Sequence, residues 1–376
     1  MARGYASGVR LALDEQIFAI QAYGGISRMH AEIARQFLTH PELEVELLPL
    51  SVPIINRYVL EDSFLSASLG VKPAMNEWTA LGRYFARIRV HPKADIIHNT
   101  FYLPHGLAPT RGARRIVTIY DMIPEFMPQT RRRLDLFTLK ERYVHRADHI
   151  ICISHATKSD LIRMYPDIEA PISVVHLAVD PTFTPDSPAL TDLPENYILF
   201  VGHRGQYKDA QVLFSAFSEI APDFSDLHLV CIGGGPFNRD ELALFEQLGI
   251  THRVKQDVLS DQRMSSAYAN SQAFVFPSRY EGFGLPALEA MASGTPTILA
   301  NTTSLPEVGG DGAMYFEVGD AHDLSNKLRL VLSDSSLRQD LTSRGVSRAK
   351  EFTWLRTARE TADIYHCELG SRIESP

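Results

Sequence analysis

The sequence predicts an α/β fold made of two open, parallel-sheet domains. Three observations carry that expectation. Short apolar runs alternate with amphipathic segments along most of the chain, the pattern of repeated strand–helix units. The runs fall into two series separated by one proline-rich stretch. The length of 376 residues suits two domains of ordinary size.

In the first series, strands are expected at Val9–Leu13, Ile96–His98, Arg115–Tyr120, His149–Ile153 and Ile172–His176. In the second they are expected at Tyr197–Val201, His228–Ile232, Ala273–Phe276, Thr297–Leu299 and Met314–Glu317. Helical periodicity runs through Ser27–Leu38, Ser154–Tyr165, Ala210–Ile220, Arg239–Leu248, Ser260–Asn270 and Leu285–Ala292. Ser154 and Ser260 stand where a helix needs a side-chain acceptor for its first free N–H groups. Between the series lies VDPTFTPDSPALTDLPEN, Val179 to Asn196, with four prolines, and it reads as a linker. The expected division is a first domain over 1–185, a second over 186–352, and a closing segment over 353–376. That segment carries an amphipathic helix, Thr353–Leu369, with Trp354, Leu355, Ala358, Ala362 and Tyr365 near one face. It is expected to pack, and to return to the first domain. Two open α/β domains on one linker imply a cleft between the carboxyl ends of their sheets, where such folds bind ligands.

Composition narrows the class. Hydrophobic content of 45% with 22% charged residues is ordinary for a soluble globular protein with a large core. The three cysteines, Cys152, Cys231 and Cys367, are far apart with no CxxC pair. That argues against a disulfide framework and for a reducing compartment, and no Cys/His spacing fits a metal. No run of eighteen apolar residues occurs, and the first twenty residues lack a signal-peptide apolar core. The expected location is therefore cytoplasmic. Net charge is −8, unevenly spread: residues 1–185 hold 21 Lys+Arg against 19 Asp+Glu, and the remainder 16 against 26. Residues Met75–Arg146 hold 13 basic against 6 acidic residues. The clusters are Arg83/Arg87/Arg89/Lys93, Arg111/Arg114/Arg115 and Arg131/Arg132/Arg133. A basic patch of this kind suits docking on an anionic membrane surface, and scattered solvated helix faces would look the same.

Six segments offer chemistry. PSRYEGFGLPALEAMASGTP, Pro277 to Pro296, places Glu281 and Glu289 around a glycine turn at a helix start. Gly282 and Gly284 admit close backbone approach, and Pro286 suits the first helical position. Free N–H groups there receive anions, and a carboxylate on each side accepts hydrogen bonds from hydroxyls, which is the chemistry of a sugar nucleotide. A capped helix with two surface glutamates is the plainer reading. YGGISR, Tyr23 to Arg28, sets Gly24 and Gly25 between a strand and a helix, fit for a diphosphate, an acceptor or merely a tight turn. FVGHRGQYKDA, Phe200 to Ala210, puts Arg204 and Lys208 in the loop at a strand's carboxyl end. Two cations there suit a leaving diphosphate, which the strand-end placement favours over a solvated basic loop. CIGGGPFNRDE, Cys231 to Glu241, carries Gly233, Gly234 and Gly235, fit to pass under a base or phosphate. Neither a P-loop nor a clean dinucleotide fingerprint is present, so NAD is not expected. ADIIHNTFYLPHG and VTIYDMIPE bring His98, His105, Tyr120 and Asp121 near strand ends, where they either position a hydroxyl or serve the core.

Taken together these motifs resemble the retaining glycosyltransferases of family 4, with GT-B architecture: two Rossmann-like, doubly wound domains facing across a cleft. The match spans most of the chain and is strongest over Tyr197–Asp320, above all the E-x7-E element from Glu281 to Glu289, with SLPEVGGDGAMYFEVGD after it. GHRGQYK is similar to the family's phosphate-binding element, and YGGISR to its glycine loop. The resemblance implies that Glu281 faces the donor sugar's hydroxyls and Glu289 the ribose. It further implies that Gly282, Phe283, Gly284 and Leu285 offer backbone donors, and that Arg204 and Lys208 stabilise the departing diphosphate without a metal. Gly24, Gly25 and Gly233 join the donor-binding set. The family's histidine before the aspartate of the TIYDMIP motif is replaced by Tyr120, so that role passes to Tyr120, Asp121 or His98. YGGISR with TIYDMIPE is similar to bacterial mannosyltransferases of surface polysaccharide assembly. GDP-mannose is then the leading donor, with UDP- and dTDP-sugars close behind, no further cofactor, and a glycan or lipid-linked oligosaccharide as acceptor. The expected reaction is hexosyl transfer with retention by a front-face route. The expected place is the cytoplasmic face of the inner membrane, with no nucleic acid partner. The competing readings are a sugar-nucleotide epimerase or phosphorylase of similar fold, and a non-catalytic sugar-nucleotide-binding subunit.

Overall fold

Parallel strands covered on both faces need near-continuous apolar runs, and the runs in this chain form two such sheets. The computed structural model describes residues 8–50, 53–76, 93–130 and 139–370. The chain divides into two compact units, Met1–Leu177 with Trp354–Pro376, and Ala178–Thr353.

The first unit contains a six-stranded sheet of β1 (Val9–Leu13), β2 (Val45–Leu47), β3 (Ile96–Asn99), β4 (Arg114–Ile119), β5 (His149–Cys152) and β6 (Ile172–Val174), in the order β2-β1-β3-β4-β5-β6. Every pairing is parallel. The second unit repeats the plan with β7 (Tyr197–Val201), β8 (His228–Ile232), β9 (Val254–Asp257), β10 (Ala273–Phe276), β11 (Thr297–Ala300) and β12 (Met314–Phe316), ordered β12-β11-β10-β7-β8-β9, again all parallel. Two strands were not foreseen, β2 and β9. Both are sheet edges reading VEL and VKQD, half-exposed and interrupted or dominated by polar residues, so they lack the apolar run that marks a central strand.

The second unit's core is apolar, built around Phe200, Phe214, Phe217, Phe245, Phe274 and Phe276. Its last two helices, Ala321–Ser333 and Ser335–Ala349, were also unforeseen. Asp334 joins them, accepting from the N–H groups of Ser336 at 2.9 Å and Leu337 at 3.0 Å. Gly345 interrupts the periodic signal because the backbone of Gly312 packs against it: a Cβ on Gly312 would lie 2.9 Å from the Gly345 Cα. The proline-rich 179–196 stretch is no open spacer. Phe183 and Leu193 enter this core, and Thr184 N donates to Ser265 Oγ at 3.1 Å.

In the first unit the Trp354–Gly370 helix packs on the Gly25–Thr39 helix. It buries Trp354, Ala358, Ala362 and Tyr365 as its periodicity implied, with Thr357, Thr361 and Ile364 beside them. Ser154 caps the His155–Met164 helix by accepting from Thr157 N. Ser260 stands at the cap of Asp261–Ala269 without a side-chain cap bond.

Candidate active site

In the second unit the strand order reverses beside β7: β8 and β9 lie on one side, β10 to β12 on the other. In an open α/β sheet the crevice for a ligand forms at that reversal, outside the carboxyl ends of the two strands. The loops leaving β7 and β10 there are Gly202–Asp209 and 277–284, two of the segments singled out in the sequence.

Three contacts tie these loops together. Arg279 N donates to Tyr207 O at 2.7 Å. Arg279 Nε lies 2.6 Å from Asp209 Oδ2. Lys208 Nζ lies 2.6 Å from Glu281 Oε1, with side chains only 15% and 10% exposed, so solvent screens this pair less than a surface pair. The ammonium also sits 4.8 Å from the centre of the Phe276 ring and 5.4 Å from that of Tyr207, in reach of a cation–π attraction. Burial raises the Asp209 carboxyl from its ordinary value, against the pull of Arg279. Behind the second loop, Thr303 Oγ1 accepts from Glu281 N at 3.0 Å, and Ser304 Oγ donates to the carbonyls of Glu281 and Phe283 at 3.0 and 2.8 Å. These bonds hold the Glu281 backbone from behind.

The loop ends at Gly284, whose φ of 108° a side chain rarely adopts. Leu285–Ala292 follows as a helix with Pro286 at its second position, one later than expected. Leu285 is half-buried, and Phe283 is buried with its ring 5.9 Å from Phe352. Glu289 stands in the helix's second turn and accepts from the Tyr268 hydroxyl at 3.1 Å.

Arg204 is placed differently from the expectation of a cation open to phosphate. Its Nε bonds Glu241 Oε1 at 2.7 Å, Nη1 the Gly233 carbonyl at 2.8 Å, and Nη2 the Gly235 and Pro236 carbonyls at 2.9 and 3.1 Å. Its side chain is 3% exposed. The three glycines it clasps have φ of 86°, 72° and 73°, a run that only glycine adopts without strain.

In the first unit the sheet reverses between β1 and β3. Asp14 closes that point, accepting from Thr100 N at 2.8 Å and Thr100 Oγ1 at 2.7 Å, and from Asn99 Nδ2. Gly24 caps the Gly25–Thr39 helix, and a Cβ on it would strike the Gln21 side chain at 2.4 Å. Gln21 Oε1 already accepts from Ser27 N at 3.1 Å, so one of the free donors of this helix start, that of Ser27, is taken. His98 and Tyr120 serve the core rather than a strand-end site. His98 Nδ1 pairs with the Tyr365 hydroxyl at 2.6 Å and Nε2 with Thr118 Oγ1 at 2.7 Å, and burial lowers its pKa to about 3. The Tyr120 hydroxyl donates to Thr100 O at 2.9 Å and meets His30 Nε2 at 2.6 Å. Burial drives its ionisation well up and that of His30 well down. Asp121 is half-buried and accepts from Ile123 N at 3.0 Å. The side chain of His105 lies outside what is described.

The basic stretch also reads differently in three dimensions. Arg114 pairs with Asp148 at 2.8 Å. Arg115 is buried, bonding Asn99 Oδ1 and Ala108 O at 2.7 Å each. Lys93 and Arg111 are exposed. Arg83, Arg87, Arg89 and Arg131 to Arg133 lie outside the described residues. Among the described residues no helix is long and apolar enough to cross a membrane.

Comparison with known proteins decides the family. The family model for glycosyl transferases group 1 matches residues 186–348, and that for glycosyltransferase family 4 matches residues 24–183. The O-antigen chain mannosyltransferase B of Escherichia coli is 30% identical over 285 residues, 70% of this chain and 72% of that protein. The MMP alpha-(1->4)-mannosyltransferase of Mycolicibacterium hassiacum is 30% identical over 363 residues, 87% of each. The chain belongs to the GT-B glycosyltransferases of group 1 and family 4. Its fold overlays sucrose-phosphate synthase from Thermosynechococcus elongatus with a TM-score of 0.71 at 18% identity, covering 96% of this chain and all of the other. Membership of this family implies a nucleotide-sugar donor. Sequence reasoning missed Glu241, Arg279, Asp209, Thr303, Ser304 and His30. Of these only Glu241 left a local signal, three residues after Asn238 in the pattern of a capping box.

Proposed function

We propose that this glycosyltransferase moves a hexose, with mannose favoured, from a nucleotide-diphosphate sugar to a hydroxyl of a glycan or lipid-linked oligosaccharide, retaining the anomeric configuration. The observation that supports it most is the Lys208–Glu281 pair at the β7/β10 reversal. Lys208 supplies positive charge where the diphosphate departs, the role a metal fills in other transferases, and its gain is largest as negative charge develops. Glu281, fixed from behind by Thr303 and Ser304, accepts from the sugar's hydroxyls. Glu289 accepts from the ribose, and backbone N–H groups across Gly282, Phe283, Gly284 and Leu285 receive sugar and phosphate oxygens. The acceptor oxygen bonds to the anomeric carbon as the carbon–diphosphate bond breaks, and the acceptor proton passes to the departing phosphate oxygen. This differs from retaining hydrolases, in which a carboxylate forms a covalent sugar intermediate.

Preference for mannose draws on two relatives at 30% identity named as mannosyltransferases, and that for a guanosine nucleotide on the resemblance carried by YGGISR and TIYDMIPE. A thermal-shift panel of GDP-, UDP- and dTDP-sugars tests the donor: the true nucleotide at 100 times its Kd adds ~2.7 kcal/mol of stability. Product anomers read by NMR test retention. Inverted product, or a trapped glycosyl-Glu281 adduct, would sink the front-face reading. Activity surviving exhaustive EDTA treatment supports metal independence, and its loss refutes it.

A further inference from the structure

A guanidinium that binds phosphate keeps its fork of N–H groups open. All three nitrogens of Arg204 are already engaged, and its Cζ lies 4.7 Å from the centre of the Phe237 ring. Its partner Glu241 is fixed in turn. Glu241 Oε2 accepts from Asn238 N at 2.8 Å while Asn238 Oδ1 accepts from Glu241 N at 2.9 Å, the reciprocal cap of the Arg239–Leu248 helix. The carboxylate thus anchors Arg204 to a rigid helix start, and Arg204 anchors the glycine loop to the carboxylate.

The clasp dictates where the loop's own donors point. Among the described residues no peptide is cis, and in a planar trans peptide the carbonyl and the following N–H point in opposite directions. The carbonyls of Gly233 and Pro236 face the guanidinium. The N–H groups of Gly234 and Phe237 therefore face away from it, and Pro236 between them has no N–H. Gly234 is exposed. The loop leaves β8, the neighbour of β7, and touches the Lys208 loop: a Cβ on Gly234 would lie 3.1 Å from Gly202 O and 2.7 Å from Arg204 Nη1.

We propose that Arg204 and Glu241 are a positioning pair, which holds the Gly233–Phe237 loop in the shape that presents the Gly234 and Phe237 N–H groups to the phosphate oxygens of the donor's nucleoside diphosphate. Backbone N–H groups turned outward in a tight loop make an anion-binding concavity. The inference rests on the nucleotide-sugar reading above and assigns Arg204 a place behind the phosphate site rather than in it.

The test is calorimetric titration of GDP, UDP and dTDP into the wild type, Glu241→Gln and Arg204→Lys, with amide hydrogen exchange across residues 231–238 and steady-state kinetics. The expected result is nucleotide-dependent protection of 231–238 in the wild type, and nucleotide affinity and donor KM worsened about 10-fold or more in both variants. The change in kcat should be several-fold smaller, the signature of lost ground-state binding. Unchanged affinity in both variants overturns the positioning pair, as does a kcat loss at unchanged affinity in Arg204→Lys, which would put Arg204 on the leaving group. If the variants fail to fold, the wild type still decides, because a 231–238 stretch unprotected by a bound nucleotide overturns the proposal. A wild type that binds none of the three nucleotides overturns the donor reading and this inference together.

Discussion

At Lys208 and Glu281, two opposite charges 2.6 Å apart and largely screened from water form one unit rather than two independent contacts. Replacing either strands the other in a poorly solvated site. Lys208→Ala and Glu281→Gln should each lower kcat/KM by about 100-fold or more, and steady-state kinetics with the donor identified by thermal shift checks this. Near-normal turnover would contradict the assignment. The histidines act in the opposite way, on stability. His98 and His30 are buried neutral, with pKa values depressed below the ordinary 6.5 by desolvation. Above 6.5 both states are neutral there and nothing is lost. As pH falls from 6.5 toward about 3, the unfolded chain takes up protons that the native state refuses, so stability drops. Urea denaturation at stepped pH should show that decline, and His98→Gln should flatten it.

At the element scale, the turn between β10 and the Leu285–Ala292 helix depends on Gly284. Its φ is 108°, and a Cβ there would lie 2.8 Å from Leu305 Cδ2. Leu305 can rotate aside, but the backbone strain stays. Gly284→Ala should therefore cost about 1–3 kcal/mol, read by denaturation, and should weaken donor binding as well because the same turn carries Glu281. An unchanged melting temperature would refute the strain argument. Most elements here were legible because their signals are local: an apolar run of 4–5 residues between turn residues, or a 3.6-residue period. The edge strands β2 and β9 were not, since a strand paired on one side only and half-exposed admits polar residues along it.

At the scale of the whole molecule, the second unit lies within the chain of the first: Leu177 leads into it, and Thr353 leads back. Each unit has its own parallel sheet, so unfolding need not be two-state. The proposed donor contacts all fall between Gly202 and Glu289, inside the second unit. GDP, or whichever nucleotide binds, should raise the melting of the second unit more than that of the first, resolved by calorimetry with exchange mass spectrometry. An equal rise in peptides of both units would refute a donor site confined to the second.

The sequence by itself determined most strands of the two sheets, though not the edges β2 and β9, and the loops that carry Lys208, Glu281, Glu289 and the glycines, because apolar runs, helix periods and glycine turns are written within a few residues of one another. Only the tertiary structure decided which side chains meet. The spacing of Arg204 and Lys208 makes them look alike, yet one is clasped by the Gly233–Pro236 carbonyls and Glu241 while the other faces Glu281. His98 and Tyr120 stand at strand ends in the sequence, yet partners 267 and 90 residues away fill their polar atoms. A buried polar group must be satisfied by whatever the fold brings to it, and that partner is set by long-range packing, which no local pattern records.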